Sequence, residues 1–377
     1  MSIETTQSNE KAAGAPGLLE GPRYVLRVVL YRMGVDKVTD LAAAMAFYLL
    51  LSVFPLLLAM VSILNLVGGA EWLVPQMEEL VKAFAGEQVA AGFAEIVGGF
   101  LGAEGAGLAL VISLLIALWS ASGYIGAFTR AVNTVYQVSE GRNFAKLKGT
   151  QLLMTLALVL LVIVLTLALV VSSPAAHWLG SLVGLGPQFE TIWYWLRFPL
   201  MGIVVVMLVQ LLYFVSPNVR QPRVRFLSLG SWVAIVLAIG IFQLFNIYLS
   251  VFDGASNYAK TYGALAGVVI VLFMLFLLNI ALLIGAELDS VMERLHQLKL
   301  GLPAAAGQLL PPRDGTGIRN RAATRRLLIE RGEAIQARAL ADGATAPEWY
   351  TTAQLHAIRD TSLEAVSADP THAAKPK

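Results

Sequence analysis

In the stretch WSASGYIGAFTRAVNTVYQV, residues 119–138, Ser122, Gly126, Arg130, Asn133 and Gln137 fall on one face of a helix. Arg130, with Arg220, Arg223 and Arg225 of a later loop, is a candidate to hold an anionic headgroup, although those loop arginines also read plainly as topology determinants. Gly123 and Ala127 lie beside the polar face as a small-xxx-small pair that permits close helix approach. A second polar stripe runs through TDLAAAMAFYLLLSVFPLLL, residues 39–58. Tyr48, Ser52 and Pro55 recur there at spacings of three and four, continued by Ala59, Ser62 and Asn65. Pro55 cannot donate to the carbonyl of Leu51, and its ring clashes there, so the helix kinks. In lipid a freed carbonyl must find another partner, so this stripe is expected to face protein or water.

Both stripes have plainer readings. The kink also suits a packing helix with no transport role. Arg130 either snorkels to lipid headgroups or lines a polar cavity. Gln210, Gln243, Asn246 and Asn279 add polar groups to apolar surroundings. Singly, each reads as interhelical hydrogen-bond glue; as a set they suggest a polar interior. The substrate-binding candidates are Tyr48, Ser52, Pro55, Ser122, Arg130, Asn133, Gln243, Asn246 and Asn279.

No catalytic set accompanies them. His177, His296, His356 and His372 are isolated, and cysteine is absent, which removes disulfides and zinc–thiolate sites. There is no P-loop. No cofactor, metal or enzymatic activity is expected. No carboxylate sits at mid-depth in an apolar segment; those that border the segments, Asp40, Asp253, Glu287 and Asp289, lie at their ends. A midplane proton relay therefore lacks its usual acid.

The elements that must position these residues are membrane helices. The chain has 377 residues, 57% hydrophobic and 14% charged, with net charge +2. Charge is missing from long stretches and concentrated at the ends, as in a polytopic membrane protein. Six segments are long and apolar enough to cross: about 41–67, 107–136, 152–171, 198–215, 226–252 and 262–286. The fold class is an all-α bundle of six transmembrane helices. An N-terminal segment, 1–40, precedes the membrane domain, 41–289, and no signal-peptide core appears in it. Lys and Arg crowd the N-terminal segment, the second-to-third loop, the fourth-to-fifth loop and the tail, so both termini are expected in the cytoplasm.

Residues 71–100 alternate at helical spacing between apolar residues and glutamates, which predicts amphipathic helix on the outer surface. Trp178, Trp193, Tyr194 and Trp195 suit an interfacial belt. Residues 290–377 read as a cytoplasmic linker, 301–317, a basic helix, 318–341, and a tail rich in Ala, Asp, Thr and Pro. The basic helix either lies on the anionic leaflet or is solvated.

Three stretches together resemble one family. The first and second spans quoted above, and YGALAGVVIVLFMLFLLNIALLIGAEL in the last, are similar to the YihY/virulence factor BrkB family of bacterial inner-membrane proteins. The connection YFVSPNVRQPRVRF, with Pro217–Asn218, resembles the family's loop between spans four and five. Where the family pattern usually has Asn after GAEL, this chain has Asp289. The resemblance covers about residues 20–295 and implies a six-span inner-membrane protein with both ends inside. Members have carried a ribonuclease label, to which the residues here lend no acid–base pair and no metal cluster. The expected role is transport or translocation of a lipid, a lipid-linked molecule or a small solute. The alternative is a non-transporting scaffold for envelope assembly. Membrane lipids with anionic headgroups are the expected partners, homo-oligomers are permitted, and no nucleic acid is implied.

Overall fold

The computed structural model describes residues 20–66, 106–170, 186–220, 228–251, 266–305 and 307–345, with parts of 74–97. Among these residues the architecture is all-α. Eight long helices follow in order: α1 Glu20–Val35, α2 Val38–Leu66, α3 Ala106–Val135, α4 Phe144–Val170, α5 Gly186–Val215, α6 Leu229–Val251, α7 Ala266–Lys299 and α8 Thr316–Ala341. Four segments are long and apolar enough to cross a membrane: Phe144–Ala168, Trp193–Val215, Leu229–Leu249 and Ala266–Lys299. Helices α2 and α3 run 29 and 30 residues, with Pro55 inside α2. Many outward side chains of α6, such as Val236, Ile239 and Leu244, are exposed apolar groups. A lipid solvent accounts for them, because a water-facing surface of this kind would aggregate.

The chain divides into two compact units. The first holds α1–α7 and the segment to Pro311. Within it α2 lies along α3 and α6 lies along α7. Its core gathers at the end where α3 stops. Ile125, Phe128, Val132 and Val135 of α3 meet Met45 of α2, Tyr213 of α5 and Leu283 and Ala286 of α7. The Phe128 and Tyr213 rings stack with centroids 6.2 Å apart. The Tyr213 hydroxyl donates to the carbonyl of Leu282. Tyr124 donates to Asn279 Oδ1 at 3.1 Å, and the Asn279 amide returns to its own helix at Leu275 O, 2.8 Å. Asn279 is therefore used as a bond between α3 and α7.

Two glycines make the α6–α7 contact possible. A Cβ on Gly230 would strike the Gly285 carbonyl oxygen, and one on Gly285 would strike the Gly230 carbonyl oxygen. The helices thus touch backbone to backbone, the close approach that small residues allow in membranes. Asp289, one turn beyond Gly285, accepts the Gly230 N–H through Oδ1 at 2.8 Å. It satisfies an N–H of the first turn of α6 and sets a negative charge at the positive end of that helix. An asparagine oxygen would accept the same bond without the charge. Asp289→Asn is therefore expected to lower thermal stability slightly, and Asp289→Ala by about 1–2 kcal/mol. Thermal melts of the three proteins in one detergent check this; equal melting of the aspartate and alanine forms would refute the capping role.

Helix α7 continues to Lys299, well past the predicted end of its span at Ala286. Residues 300–311, within the expected linker, are tied to the first unit. Gln297 accepts the Leu309 N–H at 2.8 Å, Gln308 donates to the Tyr136 carbonyl at 2.6 Å, and the Arg220 N–H reaches Pro311 O at 2.9 Å. Pro and Gly content suggested a linker here; buried Gln297 supplies partners that composition does not reveal.

The second unit comprises Ser139–Asn143 and the chain from Pro312 onward. Helix α8 buries none of its residues. Gly317 donates to the Gly141 carbonyl at 2.7 Å, and a Cβ there would lie only 2.8 Å from that oxygen. Glu140 pairs with Arg142 at 2.8 Å. Residues 346–377 of the expected tail lie outside the described residues.

The amphipathic segment 71–100 is described only in part. Ala90 and Val97 are buried, while Glu87 is exposed and pairs with Lys82 at 2.6 Å. Trp178 lies outside the described residues. Tyr194 and Trp195 are exposed near the start of α5, and the Arg197 guanidinium lies over the rings of Tyr194 and Phe198, 5.0 and 4.9 Å from their centroids.

Candidate functional site

Helices α2, α3 and α4 bring two cations, two rings and several polar groups onto one face of the bundle. From α3, Arg130 extends over the Tyr48 ring of α2, its guanidinium 5.4 Å from the centroid. From the first turn of α4, Lys148 bonds Ser122 Oγ of α3 at 2.5 Å and points at the Trp119 carbonyl, 3.4 Å away. Its ammonium lies 4.2 Å from the Trp119 ring centroid. Between the cations α3 carries two glycines, Gly123 half-buried and Gly126 buried beneath neighbouring side chains. Gly123 faces Tyr48, where a Cβ would meet the ring at 3.6 Å. Gly126 faces Gln151 and Arg130, which a Cβ would meet at 3.3 and 3.5 Å. Ser52 Oγ binds its own helix at Tyr48 O, 2.7 Å, and reaches Ala121 O of α3 at 3.3 Å.

The local sequence explains the arrangement. Ser122, Gly126 and Arg130 repeat every four residues, so one ridge of α3 carries hydroxyl, bare backbone and guanidinium in line. A rise of about 1.5 Å per residue places Arg130 about 8 Å, and Ser122 about 20 Å, from the end of α3 at Val135. Lys148 enters because α4 starts only eight residues after Tyr136 and runs back along α3. Arg130, Tyr48 and Trp119 are all substantially exposed. These three side chains reach the surface, while Ser122 and Gly126 lie buried beneath them and Lys148 is half-buried.

Of the sequence candidates, Tyr48, Ser52, Ser122 and Arg130 meet here. Pro55 lies one turn beyond Ser52 on α2, partly buried. The others go elsewhere. Asn133 is buried and accepts the Asn218 N–H at 2.8 Å, which anchors the SPN turn after α5. Asn279 joins α7 to Tyr124, as described above. Gln243 and Asn246 are exposed on α6, and the Asn246 amide returns to Phe242 O of its own helix at 2.8 Å. They do not share a polar interior with Arg130. Shared helical face predicts which residues of one helix look the same way, not which helix they look at.

Sequence reasoning assigned Lys148 to topology and did not include Trp119 or Gln151 in the site. Lys148 and Gln151 are three apart at the start of α4, and so share a face. That spacing was the available signal. Chemically, the set offers an ammonium and a guanidinium held by aromatic faces, each cation–ring contact contributing about 0.5–2 kcal/mol. With Gln151 alongside, it suits an oxyanion such as a phosphate or carboxylate. Among the described residues no group of three His, Cys, Asp or Glu side chains is placed to hold a metal ion.

Comparison with known proteins bears on the same helices. The family model for virulence factor BrkB matches residues 29–307, which contain every residue of the cluster. A protein of Bacillus subtilis (strain 168), named as the ribonuclease-like protein YfkH, is 27% identical over 273 residues. That alignment covers 72% of this chain and 96% of the relative. No solved structure matches the chain.

Proposed function

The chain belongs to the virulence factor BrkB (YihY) family of membrane proteins, and on that premise we propose that it binds anionic lipid headgroups on the α2–α4 face and moves them across the inner membrane. In this reading all six predicted spans cross, both termini are cytoplasmic, and the face opens toward the inner leaflet. The observation that supports it is the placing of Arg130 over the Tyr48 ring and of Lys148 over the Trp119 ring, at the two ends of the α3 stretch that holds Gly123 and Gly126. Charge at membrane depth is costly unless it has a task or a partner. Here the rings position both cations, with the Ser122 hydroxyl beside Lys148, and an anionic headgroup would complement them. The lipid's own tails need no pocket, because they stay in the bilayer. The kink at Pro55, one turn from Ser52, lets α2 bend beside the face.

The name ribonuclease-like belongs to the relative. The residues that converge in this chain bind charge; they do not pair an acid with a base. A translocation assay in proteoliposomes tests the reading. Fluorescent anionic and zwitterionic lipids are placed in one leaflet and their appearance in the other is timed. Faster transfer of the anionic lipid, lost in Arg130→Ala/Lys148→Ala, is expected. Transfer no faster than in empty liposomes would favour the scaffold reading.

A further inference from the structure

Glu287, about two-thirds of the way along α7, is fully buried, and neither of its carboxylate oxygens has a hydrogen-bond partner among the described residues. Its ionic neighbour is Arg32 of α1, whose Nε lies 3.4 Å from Glu287 Oε2. That guanidinium is already engaged. It donates to Asp36 Oδ2 through Nε at 3.1 Å and Nη2 at 2.7 Å, and Nη2 also reaches the Val135 carbonyl at 2.8 Å. Arg32 and Asp36 are themselves almost inaccessible, with side-chain exposures of 6% and 9%. The cluster thus holds two carboxylates and one cation in a nearly closed space. Fully ionised, it would carry a net negative charge with two orphan acceptor oxygens, among the costliest arrangements a protein interior can hold.

We infer that this cluster is a proton-binding site, with one proton held by Glu287 against Asp36, and that the proton fastens α1 to α7. Two carboxylates sharing a site cannot readily both ionise. A protonated Glu287 becomes a donor, and Asp36 is the acceptor beside it. The remaining charges are then one carboxylate and one guanidinium, which balance. The charged side chains acting on Glu287 are Arg32 and Asp36 of α1. On α7 itself, Asp289 is turned to Gly230, Glu293 to Gln297, and Arg294 to the carbonyls of Ala304 and Ala305. Helix α3 presents the Val135 carbonyl, and at the start of α2 Lys37 and Asp40 are exposed. Apolar contacts of Val25 and Val29 with Val291 continue the same α1–α7 seam.

The sign follows from linkage. The docked state binds the proton and the separated state releases it, so docking is favoured at low pH and weakens as pH rises through the titration. One proton changes the docking equilibrium by at most about tenfold per pH unit. The inference stands apart from the headgroup-binding proposal, and neither test reads the other's outcome.

Two readouts on the full-length protein in nanodiscs test it. Infrared difference spectra between mildly acidic and alkaline pH should show one buried carboxylic acid losing its proton, with the band missing in Glu287→Gln and lost or shifted in Asp36→Asn. Second, the chain has no native cysteine, so Val29→Cys/Val291→Cys reports α1 docking by disulfide yield. To separate docking from thiol ionisation, yields are normalised to an exposed cysteine pair on α8. Yield should fall with rising pH in the otherwise wild-type protein and stay level when Glu287→Gln is added, because glutamine mimics the protonated acid. An infrared trace that is the same in wild type and Glu287→Gln would overturn the proton site. Disulfide yield independent of pH in both backgrounds would overturn its coupling to α1.

Discussion

Gly285→Ala is expected to leave little folded protein. The added methyl would meet the Gly230 carbonyl oxygen, with the Tyr213 hydroxyl at 2.5 Å and the Ala234 methyl at 2.7 Å. Two of these neighbours cannot swing aside, because one is backbone and the other is a methyl fixed to it. Helices α6 and α7 would have to separate. That movement also breaks the Asp289–Gly230 bond and the bond from Tyr213 to Leu282. Overpacking alone costs about 1–3 kcal/mol, and the lost bonds add to it, so a total of about 3 kcal/mol or more is expected. Gly230→Ala should be equally damaging, because its methyl would also press on the Asp289 carboxyl at 2.6 Å. Gly202→Ala and Gly240→Ala are the controls, since nothing lies within 4 Å of either added carbon. Thermal melts of the four variants in one detergent decide it. If Gly285→Ala melted with the controls, the backbone contact between α6 and α7 would not exist as described.

The second large effect concerns the cationic face. Replacing Arg130 and Lys148 together by alanine removes both charges that would hold an oxyanion. A hydrogen bond to a charged group contributes about 1.5–3 kcal/mol net. Losing two should weaken binding of an anionic headgroup by about a hundredfold or more. The core should survive, because Arg130 and Lys148 lie outside the cluster of Phe128, Leu283 and their neighbours. Single variants should lose about tenfold each. Lys148→Arg should retain most binding, since the charge stays over Trp119. Titration of a soluble short-chain anionic lipid measures these affinities, and a double variant that binds like wild type would refute the assignment.

The membrane helices were legible because lipid imposes long charge-free runs, and α4–α7 follow them. The ridge Ser122–Gly126–Arg130 was legible from spacing alone. What spacing could not supply was the partner helix. Lys148 and Gln151 belong to the site because α4 folds back along α3, a fact of tertiary structure. Gln243 and Asn246 were grouped with Arg130 because polar residues in apolar helices look alike in sequence, but they lie exposed on α6. Glu287 shows the converse. Its place in the sequence marks it only as a carboxylate at a span end, whereas in the fold it is fully buried with Arg32 of α1 against it. The extension of α7 to Lys299 and the tethering of residues 300–311 were hidden for a similar reason. The partners Gln297 and Gln308 are single polar residues whose bonds no local pattern announces.

The most direct measurement is native mass spectrometry of the protein released from nanodiscs of mixed anionic and zwitterionic lipid. Wild type is compared with Arg130→Ala/Lys148→Ala at matched lipid composition. The account predicts that wild type retains an anionic lipid in excess of its share of the bilayer, and that the double variant retains lipid only in proportion. Equal retention by both proteins, or retention without regard to headgroup charge, would contradict it.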